Sequence, residues 1–448
     1  GSNSAFTAQA KGSLNNFTPN EYLLQSQGYT VDKLPEIKYA RLADDVLGGV
    51  RPGMLTWTHE YSYARVGFKF NEPTLSDFGF VNGFVSNKNF GVAPSQSIAD
   101  RLRAMGFTED LVNRGDTRQE LAGVFDWGPV RINPFVVGRL TGYDQKIGEF
   151  DTFSPDADKQ YRAWWAGGAR FSTEIVKVDD SVESSFFDLH RIRHIVTPSA
   201  TVWSAASSIR EESLPIYDDT VEALATGTAV RAGIAQTFQT QRGGPGRWRS
   251  VDVLKINTDF SFATADRNNG TIPNQVGSPI SNASPFDRFF DARPEYSYLG
   301  NFFTGEAAWQ VTDAVGLIYN VIYDFDTNQV ARTVAGGTIQ HSPEFSTYAQ
   351  VRFLNALDAT YVDAGASYQL TRIYSITAGV TYDTNANEVQ NLSATLRRKF
   401  QDATMGVRLS FDNITDETSI GVVFEPQAAA AAREREDEHL ERLRNIGR

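Results

Sequence analysis

The feature that most constrains this fold is an alternation of apolar and polar residues in short runs along the chain. In YSITAGVTYD, residues 374–383, apolar side chains occupy every second position and small polar side chains lie between them. The same two-residue period governs VGLIYNVIYDF, VDAGASYQL and GVRLSF. Successive side chains of a β-strand point to opposite faces, whereas a helix needs a period near 3.6. The runs therefore predict strands with one apolar and one polar face.

Turn sequences separate these runs and indicate an antiparallel arrangement. YDTNANE, FDNITDE and YDFDTNQ each place Asp and Asn after an aromatic residue. Asp and Asn hydrogen-bond their own backbone and tolerate turn conformations, so these segments suit hairpins. We count about 17 to 19 strand-like runs. The sequence predicts an all-β, antiparallel fold.

Two stretches favour helix instead of strand. SQSIADRLRAMGFTEDLVNRG carries a short apolar stripe after a serine and predicts one short helix in a loop insertion. AAAAAREREDEHLERLRNIGR, at the end of the chain, predicts a charged tail that is either helical or disordered. We therefore divide the chain into an N-terminal segment (1–20), a β domain (21–426) and the tail (427–448). The first segment holds either an initial strand or residues added by cloning.

Amphipathic strands of this kind occur in two architectures. A soluble β protein buries the apolar face, whereas a transmembrane barrel turns that face to lipid and its polar face to a wet lumen. The runs approach the roughly 9 to 11 residues that cross a bilayer at a tilt. Their polar faces carry charges that a dry core would not accept unpaired. We predict a transmembrane β-barrel, with the following candidate lumen-facing residues: Glu306, Asp363, Arg397, Lys399 and Arg408.

Composition narrows the partners of this chain. The net charge is −12, and no cysteine is present. Nucleic acid selects clustered Lys and Arg, so the acidic balance disfavours it as a partner. Without cysteine, neither disulfides nor thiolate metal sites can form. No apolar run approaches the roughly 18 residues of a membrane helix.

No motif for catalysis stands out. His190 and His194 are four residues apart, but β-branched neighbours and Pro198 favour a strand, which would hold the two rings too far apart for one metal ion. Neither a Gly-x-Ser-x-Gly elbow nor a phosphate-binding glycine loop before lysine is present. Paired carboxylates such as Asp218–Asp219 lie in loop segments, where solvation is the simplest explanation. We predict no enzyme activity, no metal and no cofactor.

Three stretches, in order, resemble a known family. RHIVTPSATVW, residues 193–203, looks like the Arg-His-x-x-x-Pro strand start in the barrel region of the outer-membrane lipopolysaccharide-assembly proteins, the LptD family. LLQSQGYTVDKLPEIKY, residues 23–39, resembles the family's segment that ends in Leu-Pro-Glu and opens a strand. TRQELAGVFDWGPVRINPFVVGRLTGYD, residues 117–144, resembles its Thr-Arg strand, followed by an Asn-Pro strand that closes with Thr-x-Tyr. The match covers about residues 20 to 425.

The resemblance implies an outer-membrane translocon of a Gram-negative bacterium, which releases lipopolysaccharide sideways from a barrel. It also implies these partners: lipopolysaccharide, a plug lipoprotein of the LptE type, a periplasmic bridge of the LptA type and the barrel-insertion machinery. The chain departs from the family pattern because it has no evident N-terminal jellyroll, fewer strands than the largest family barrels and no cysteine. We therefore expect either a fragment or a divergent short relative.

Two other functions stay open at this stage. A passive porin-like channel would need a constriction loop and a self-sufficient barrel. A soluble secreted β protein could bind glycans through its aromatic residues. The resemblance makes Arg193, His194 and Pro198 a family landmark strand. We expect Pro198 at a strand edge or bulge, and Arg193 and His194 near the lumen wall or the headgroup level.

The last strand-like run, TSIGVVF, is the candidate seam and assembly strand. Ile420, Val422 and Phe424 share its apolar face. An unpaired strand edge in lipid would leave backbone groups unsatisfied at a cost of several kcal/mol each. We therefore expect this strand to close the barrel or to form its lateral seam, with Phe424 recognised during insertion.

Overall fold

A computed structural model shows the fold of this chain. It describes residues 3–12, 29–70, 72–78, 81–209, 214–218, 220–244, 246–264, 293–297, 299–355, 359–385, 387–401, 403–412 and 417–426. The predicted tail 427–448 and almost all of the long segment 266–294 lie outside these ranges. None of the helices in the described part of the chain is long and apolar enough to span a membrane.

Twenty strands make up most of the described residues. In chain order they are β1 Ser4–Lys11, β2 Tyr29–Asp45, β3 Leu55–Phe70, β4 Val112–Gly123, β5 Phe125–Trp127, β6 Val130–Tyr143, β7 Tyr161–Ser172, β8 Ile175–Ser184, β9 Leu189–Ser207, β10 Gly227–Arg242, β11 Arg249–Ala263, β12 Phe302–Gln310, β13 Val315–Asp324, β14 Gln329–Ser342, β15 Phe345–Leu354, β16 Ala359–Gln369, β17 Tyr374–Asp383, β18 Glu388–Lys399, β19 Ala403–Asp412 and β20 Glu417–Pro426. The predicted all-β fold is confirmed, with slightly more strands than predicted.

The helices of the described ranges are short. They are α1 Gly83–Phe90, α2 Ile98–Ala104 and α3 Ile147–Phe150, with single 3-10 turns at Ser76–Phe78 and Pro294–Tyr296. The predicted helix in the loop insertion is confirmed as α2, where Ser97 and Asp100 form a reciprocal capping box. The helix ends at Ala104, and the last residues of the stretch predicted as helical, from Val112 onward, already belong to β4. The sequence does not predict α1 and α3, which are too short to show a helical period.

The chain divides into two compact units. Unit 1 comprises Gly1–Thr173, Ala200–Ala232 and Ser261–Phe302, and unit 2 comprises Glu174–Ser199, Gly233–Phe260 and Phe303–Arg448. In unit 1, antiparallel pairs join β1 to β2, β2 to β3, β3 to β4, β4 to β6 and β6 to β7. The three-residue β5 pairs with the start of β6. Part of the predicted N-terminal segment is therefore a strand, β1.

Unit 2 is a longer antiparallel meander. Each strand from β13 to β20 pairs with the next one along the chain, and β8 pairs with β9. Short turns join these strands, and their register keeps the alternate faces aligned. Most apolar residues of each strand lie on one face of the sheet and most polar residues on the other, as the alternation predicted; Ile318 and Tyr348 are exceptions on the polar face.

A repeated hairpin appears within unit 2. The hairpin of β17 and β18 repeats that of β13 and β14 at a distance of 59 residues, from Val315 to Tyr374. In the first turn the Tyr323 hydroxyl donates to Asn328 Oδ1 at 2.6 Å. In the second the Tyr382 hydroxyl makes the same bond to Asn387 at 2.5 Å. Both asparagines have positive φ, 55° and 59°. Asn tolerates this left-handed conformation, so both turns depend on it.

Candidate functional site

The polar faces of β4, β6 and β7 in unit 1 carry a dense set of charged side chains. Arg114 and Arg118 on β4 and Arg162 on β7 are at most 2% exposed. On the opposite face of these strands, Val136 is 62% and Trp165 53% exposed. A soluble protein normally shows the reverse, with apolar side chains inside and charges outside. We call the sheet of unit 1 inverted because it exposes large apolar side chains and buries arginines, which lie beside Phe135, Val137 and Trp164 on the same face.

A loop between β9 and β10 covers these charges. Its Glu222 accepts two hydrogen bonds from Arg114 Nη1, at 2.8 and 3.0 Å. The Tyr143 hydroxyl on β6 donates to the same carboxylate at 3.1 Å, and the backbone N–H of Asp218 does so at 2.8 Å. Glu222 and Arg114 are both fully buried. The loop thus inserts a carboxylate directly against the strand guanidinium.

Two further arginines hold the loop by its backbone. Arg162 donates to the carbonyl oxygens of Glu222, at 2.9 Å, and Val221. Arg139 donates to the carbonyl of Thr220 at 2.5 Å. These carbonyls would otherwise be buried acceptors, which cost free energy when unsatisfied. The arginines therefore fix the path of the loop as well as its charge.

Arg139 is itself fixed by an ion pair on the neighbouring strand. Its Nε and Nη2 reach the two oxygens of Asp116 at 3.0 and 2.8 Å. The Thr141 hydroxyl donates to the same carboxylate at 2.7 Å. Such a bidentate pair holds the guanidinium in one orientation. The strand face is therefore organised to receive the loop.

The first half of the loop is held by β2. Asp218 Oδ2 lies 2.7 Å from Lys33 Nζ, which also lies 3.2 Å from Glu36 Oε1. Burial of Asp218 opposes its ionisation, but the hydrogen bonds from Lys33 and Thr220 hold its pKa well below the usual range. Asp218 therefore stays charged at any pH at which the protein would be handled.

A second carboxylate enters from the segment before β12. Glu295 is fully buried and accepts a hydrogen bond from Arg118 Nε. The carbonyl of Glu295 accepts from the N–H of Ala225 at 3.0 Å, and the carbonyl of Ala225 accepts from Trp164 Nε1 at 2.8 Å. The two covering segments are thus bonded to each other as well as to the strands.

Apolar packing completes the attachment. Tyr217 of the loop stacks on Phe68 of β3 with ring centroids 4.5 Å apart, and its ring lies 6.3 Å from Phe150 of α3. Ile98 and Leu102 of α2 belong to the same buried cluster. The helical insertion that the sequence predicted therefore forms part of the core beside the charged side chains.

We call this arrangement the charged cluster, and it consists of Lys33, Glu36, Arg114, Asp116, Arg118, Arg139, Arg162, Asp218, Glu222 and Glu295. It contains five cations and five carboxylates, and most of their polar atoms are hydrogen-bonded. In the described part of the chain, the exceptions are Arg114 Nε and Nη2, Arg118 Nη1, Arg162 Nε and Glu295 Oε2. Removing one member of a buried pair typically costs 3–5 kcal/mol, at a rough estimate, since its partner is left charged and unpaired. The ion pairs and hydrogen bonds of the cluster therefore attach the loop to the strands. Within the described ranges, no three His, Asp or Glu side chains gather as metal ligands would.

The sequence does not reveal the loop's contribution to this cluster. The prediction that the Asp218–Asp219 pair is solvated is wrong for Asp218, whose side chain is only 10% exposed and pairs with Lys33. A signal was present: Arg114 and Arg118 alternate along β4, and Arg139 lies on the face of β6 opposite Val136 and Leu140. An acidic loop was the natural partner, but no local pattern shows which loop will fold against which strand.

The landmark strand of the family resemblance is β9. His194 pairs with Lys177 of β8, stacks on Phe238 at 4.0 Å and contacts Gln236 through its Nε2 at 3.1 Å. Pro198 lies two residues beyond Val196, where pairing with β8 stops, so its missing N–H is not needed on that side. Arg193 Nη1 reaches Gln239 Oε1 at 3.4 Å.

The candidate lumen-facing residues lie on polar faces in unit 2. Asp363 accepts hydrogen bonds from Gln350, at 3.0 Å, and from the Thr381 hydroxyl, at 2.7 Å. Register places Asp363, Arg397, Lys399 and Arg408 on one common face of the meander from β15 to β20. Glu306 of β12 accepts a bond from Asn257 at 3.2 Å. That this face lines a lumen stays a prediction.

The candidate seam strand is β20. Its residues Ile420 and Val422 pair with Leu409 and Val407 of β19 and are 75% and 71% exposed. The backbone of Phe424 pairs with Met405, but its side chain lies outside the described set. Large apolar side chains thus remain uncovered on this face of unit 2.

Comparisons with known proteins give distant likenesses only. No protein-family model matches the chain, and no curated protein matches it. Among solved structures, a triple mutant of the porin of Rhodopseudomonas blastica matches 68% of this chain and 93% of its own, with 14% identity and a TM-score of 0.22. The siderophore receptor PirA from Acinetobacter baumannii matches 92% of this chain and 62% of its own, with 8% identity and a TM-score of 0.37. These values establish neither a family nor an activity.

Proposed function

We propose that this chain is an outer-membrane β-barrel that assembles lipopolysaccharide into the outer leaflet. The observation that supports a position in the membrane is the inverted sheet of unit 1, in which Arg114 is buried and Val136 is exposed. Contiguous exposed apolar surface is costly in water but favourable against acyl chains. Strands can span lipid only when every backbone group is paired, which closure of the sheet provides.

The resemblance to the LptD family gains support from where its residues lie. Lys33 and Glu36 come from the Leu-Pro-Glu stretch, and Arg118, Thr141 and Tyr143 come from the Thr-Arg and Thr-x-Tyr stretch. All five contact members of the charged cluster or belong to it. Two stretches that carry the resemblance therefore contribute side chains to one structural feature.

In this proposal the charged cluster keeps the loop of residues 214–226 fixed against the strand wall. Lipopolysaccharide would pass with its sugars along polar faces and its acyl chains toward lipid, so no bond in the substrate changes. The lipoprotein plug and the periplasmic bridge belong to the proposal only through the resemblance.

A porin-like channel is the second candidate, and the covering loop favours it. Such a channel needs a constriction supplied by the chain itself, and the loop that carries Glu222 is held in place by four strand residues: Arg114, Arg139, Tyr143 and Arg162. The third reading, a soluble glycan-binding protein, requires the exposed face to be covered by a partner instead of lipid.

Site-specific photo-cross-linking separates these functions. A photo-activatable residue replaces either Ser367, on the polar face of β16, or its neighbour Ala366, on the apolar face. The variants are made in the full-length gene product in its own bacterium. For a translocon, both positions should cross-link to lipopolysaccharide, which an antibody to that lipid detects.

The other outcomes decide against parts of the proposal. Cross-links from Ala366 alone, together with ion conductance in planar bilayers, would replace the translocon by a porin-like channel. Cross-links from neither position, with a protein that stays monodisperse without detergent, would contradict the membrane assignment.

A further inference from the structure

Two neighbouring cavities open on unit 2, with volumes of about 480 and 410 Å³. They share Gln310, Thr338 and Tyr348 among their lining residues. Among the described residues, Asp313 is the one charged residue that lines the larger cavity, and Arg249 and Arg242 pair with it. The smaller cavity adds Asp252 and Lys255, which pair with each other at 2.9 Å. The surface is therefore polar, and these charges lie in ion pairs.

Tyr348 is an aromatic residue in the middle of the polar face. Register places it opposite Gly365, which is opposite Gly379 on the next strand. A Cβ atom on Gly365 would lie only 2.5 Å from Tyr348 Cε1, so the glycine allows the ring to lie close to the backbone. The ring remains 44% exposed. It thus presents a flat apolar surface where its neighbours are polar.

Rows of hydrogen-bonding side chains flank this ring on both sides. One row, at the level next to the ring, consists of the hydroxyl residues Ser346, Ser367, Thr377 and Thr395. The other row consists of Gln350, Asp363, Thr381 and Asn391. Hydroxyls and amides both donate and accept, and carboxylates accept. The Tyr348 ring is thus an apolar surface between two rows of polar side chains.

We propose that the polar face around Tyr348 binds chains of neutral sugars. A pyranose ring has an apolar C–H face, which packs on an aromatic ring, and equatorial hydroxyls, which reach polar side chains beside it. A ligand site of this kind combines an aromatic surface with a few placed polar groups. Because the two cavities adjoin at Tyr348, a chain of sugars fits better than a single one. The inference needs this face to be in water, but it does not need the lipopolysaccharide role.

Calorimetric titration of the full-length protein, in a detergent without a sugar headgroup, tests the proposal with maltohexaose as the probe. Tyr348→Ala should weaken binding about tenfold, since an aromatic contact of this kind is worth roughly one power of ten in affinity. Tyr348→Phe should bind as the wild type does. Tyr368→Ala is the matched control, because Tyr368 is equally exposed, at 44%, on the opposite face of the same meander.

A second variant tests whether a loss of binding can be separated from a loss of folding. Ser367→Leu puts a larger apolar side chain into the lining of the larger cavity and keeps Tyr348, so it should also weaken binding while the unfolding transition is retained. The proposal is overturned if the wild type does not bind maltohexaose, if Tyr348→Ala binds it as tightly, or if an acidic hexasaccharide binds in preference. Failure of lipopolysaccharide cross-linking would leave these results unaffected, so the two proposals can fail separately.

Discussion

The polar faces of the two units differ in what covers them. In unit 1 the loop of residues 214–226 and the segment around Glu295 lie on that face, and Arg114 is fully buried. In unit 2, Arg397 and Lys399 remain exposed on the polar face of β18. The strands of both units have the same alternation. The comparison teaches that one sequence pattern supports both a covered and an open polar face, and that the loops decide which is formed.

Removing the central carboxylate of the covered face should have the largest effect. Glu222→Ala leaves Arg114 buried without its closest partner, so the free energy of unfolding should fall by about 3–5 kcal/mol. Chemical unfolding in detergent measures this change, and limited proteolysis should show cleavage within residues 214–226. The control is Asp126→Ala, which breaks an exposed ion pair with Arg131 and should change stability by less than about 1 kcal/mol. Equal effects would mean that the loop does not depend on the cluster.

A charge on the exposed apolar face should have the next largest effect. Val136→Arg should destabilise the protein in a bilayer by about 2–4 kcal/mol, because the guanidinium would face hydrocarbon. Val136→Thr, a smaller change in polarity at the same position, is the control. Unfolding titrations in lipid vesicles give the values. If Val136→Arg were neutral in vesicles, the face would be in water and the membrane assignment would be wrong.

Asp151, which follows α3, should make the stability of unit 1 depend on pH. Burial raises the pKa of Asp151 to about 6, against hydrogen bonds from the backbone of Phe153 and Ser154, which lower it. The folded state therefore binds this proton more tightly than the unfolded state does. The resulting stabilisation is complete below about pH 4 and is lost as the pH rises through about 6.

The measurement compares the wild type with Asp151→Asn between pH 4 and pH 7. The wild type should lose about 2 kcal/mol more than the variant over this interval. Parallel curves for the two proteins would show that Asp151 ionises as an exposed carboxyl does.

The smallest effect is expected for a carboxylate on the open face. Asp363→Asn in unit 2 keeps the size of the side chain and weakens its bonds to Gln350 and Thr381. Asp363 is only 9% exposed and lies 3.6 Å from Arg352, but Asn still accepts one of these hydrogen bonds, so the loss should be about 1 kcal/mol. Unfolding under the conditions used for Glu222→Ala allows direct comparison. A loss as large as that of Glu222→Ala would remove the distinction between a covered and an open face.

The hairpins of unit 2 were largely predictable, because their determinants are local. The alternation in residues 374–383 identified β17, and the Asp and Asn residues of the turn predicted where it reverses. The exposure of Ile420 and Val422 followed from the same period. The repeat of the hairpin after 59 residues was also present in the sequence. It became evident only when the matching Tyr–Asn bonds showed which positions correspond.

The sequence by itself determined the strands, their two faces and the charges that those faces carry, because a two-residue period acts between neighbours along the chain. Only the tertiary structure decided that Glu222 and Asp218 meet Arg114 and Lys33, residues that are 108 and 185 positions away. A loop residue has no period that would indicate its partner, and an acidic pair is as compatible with water as with a buried guanidinium. The choice depends on the summed packing of Tyr217, the arginine bonds to loop carbonyls and the ion pairs, which exist together only in the folded chain.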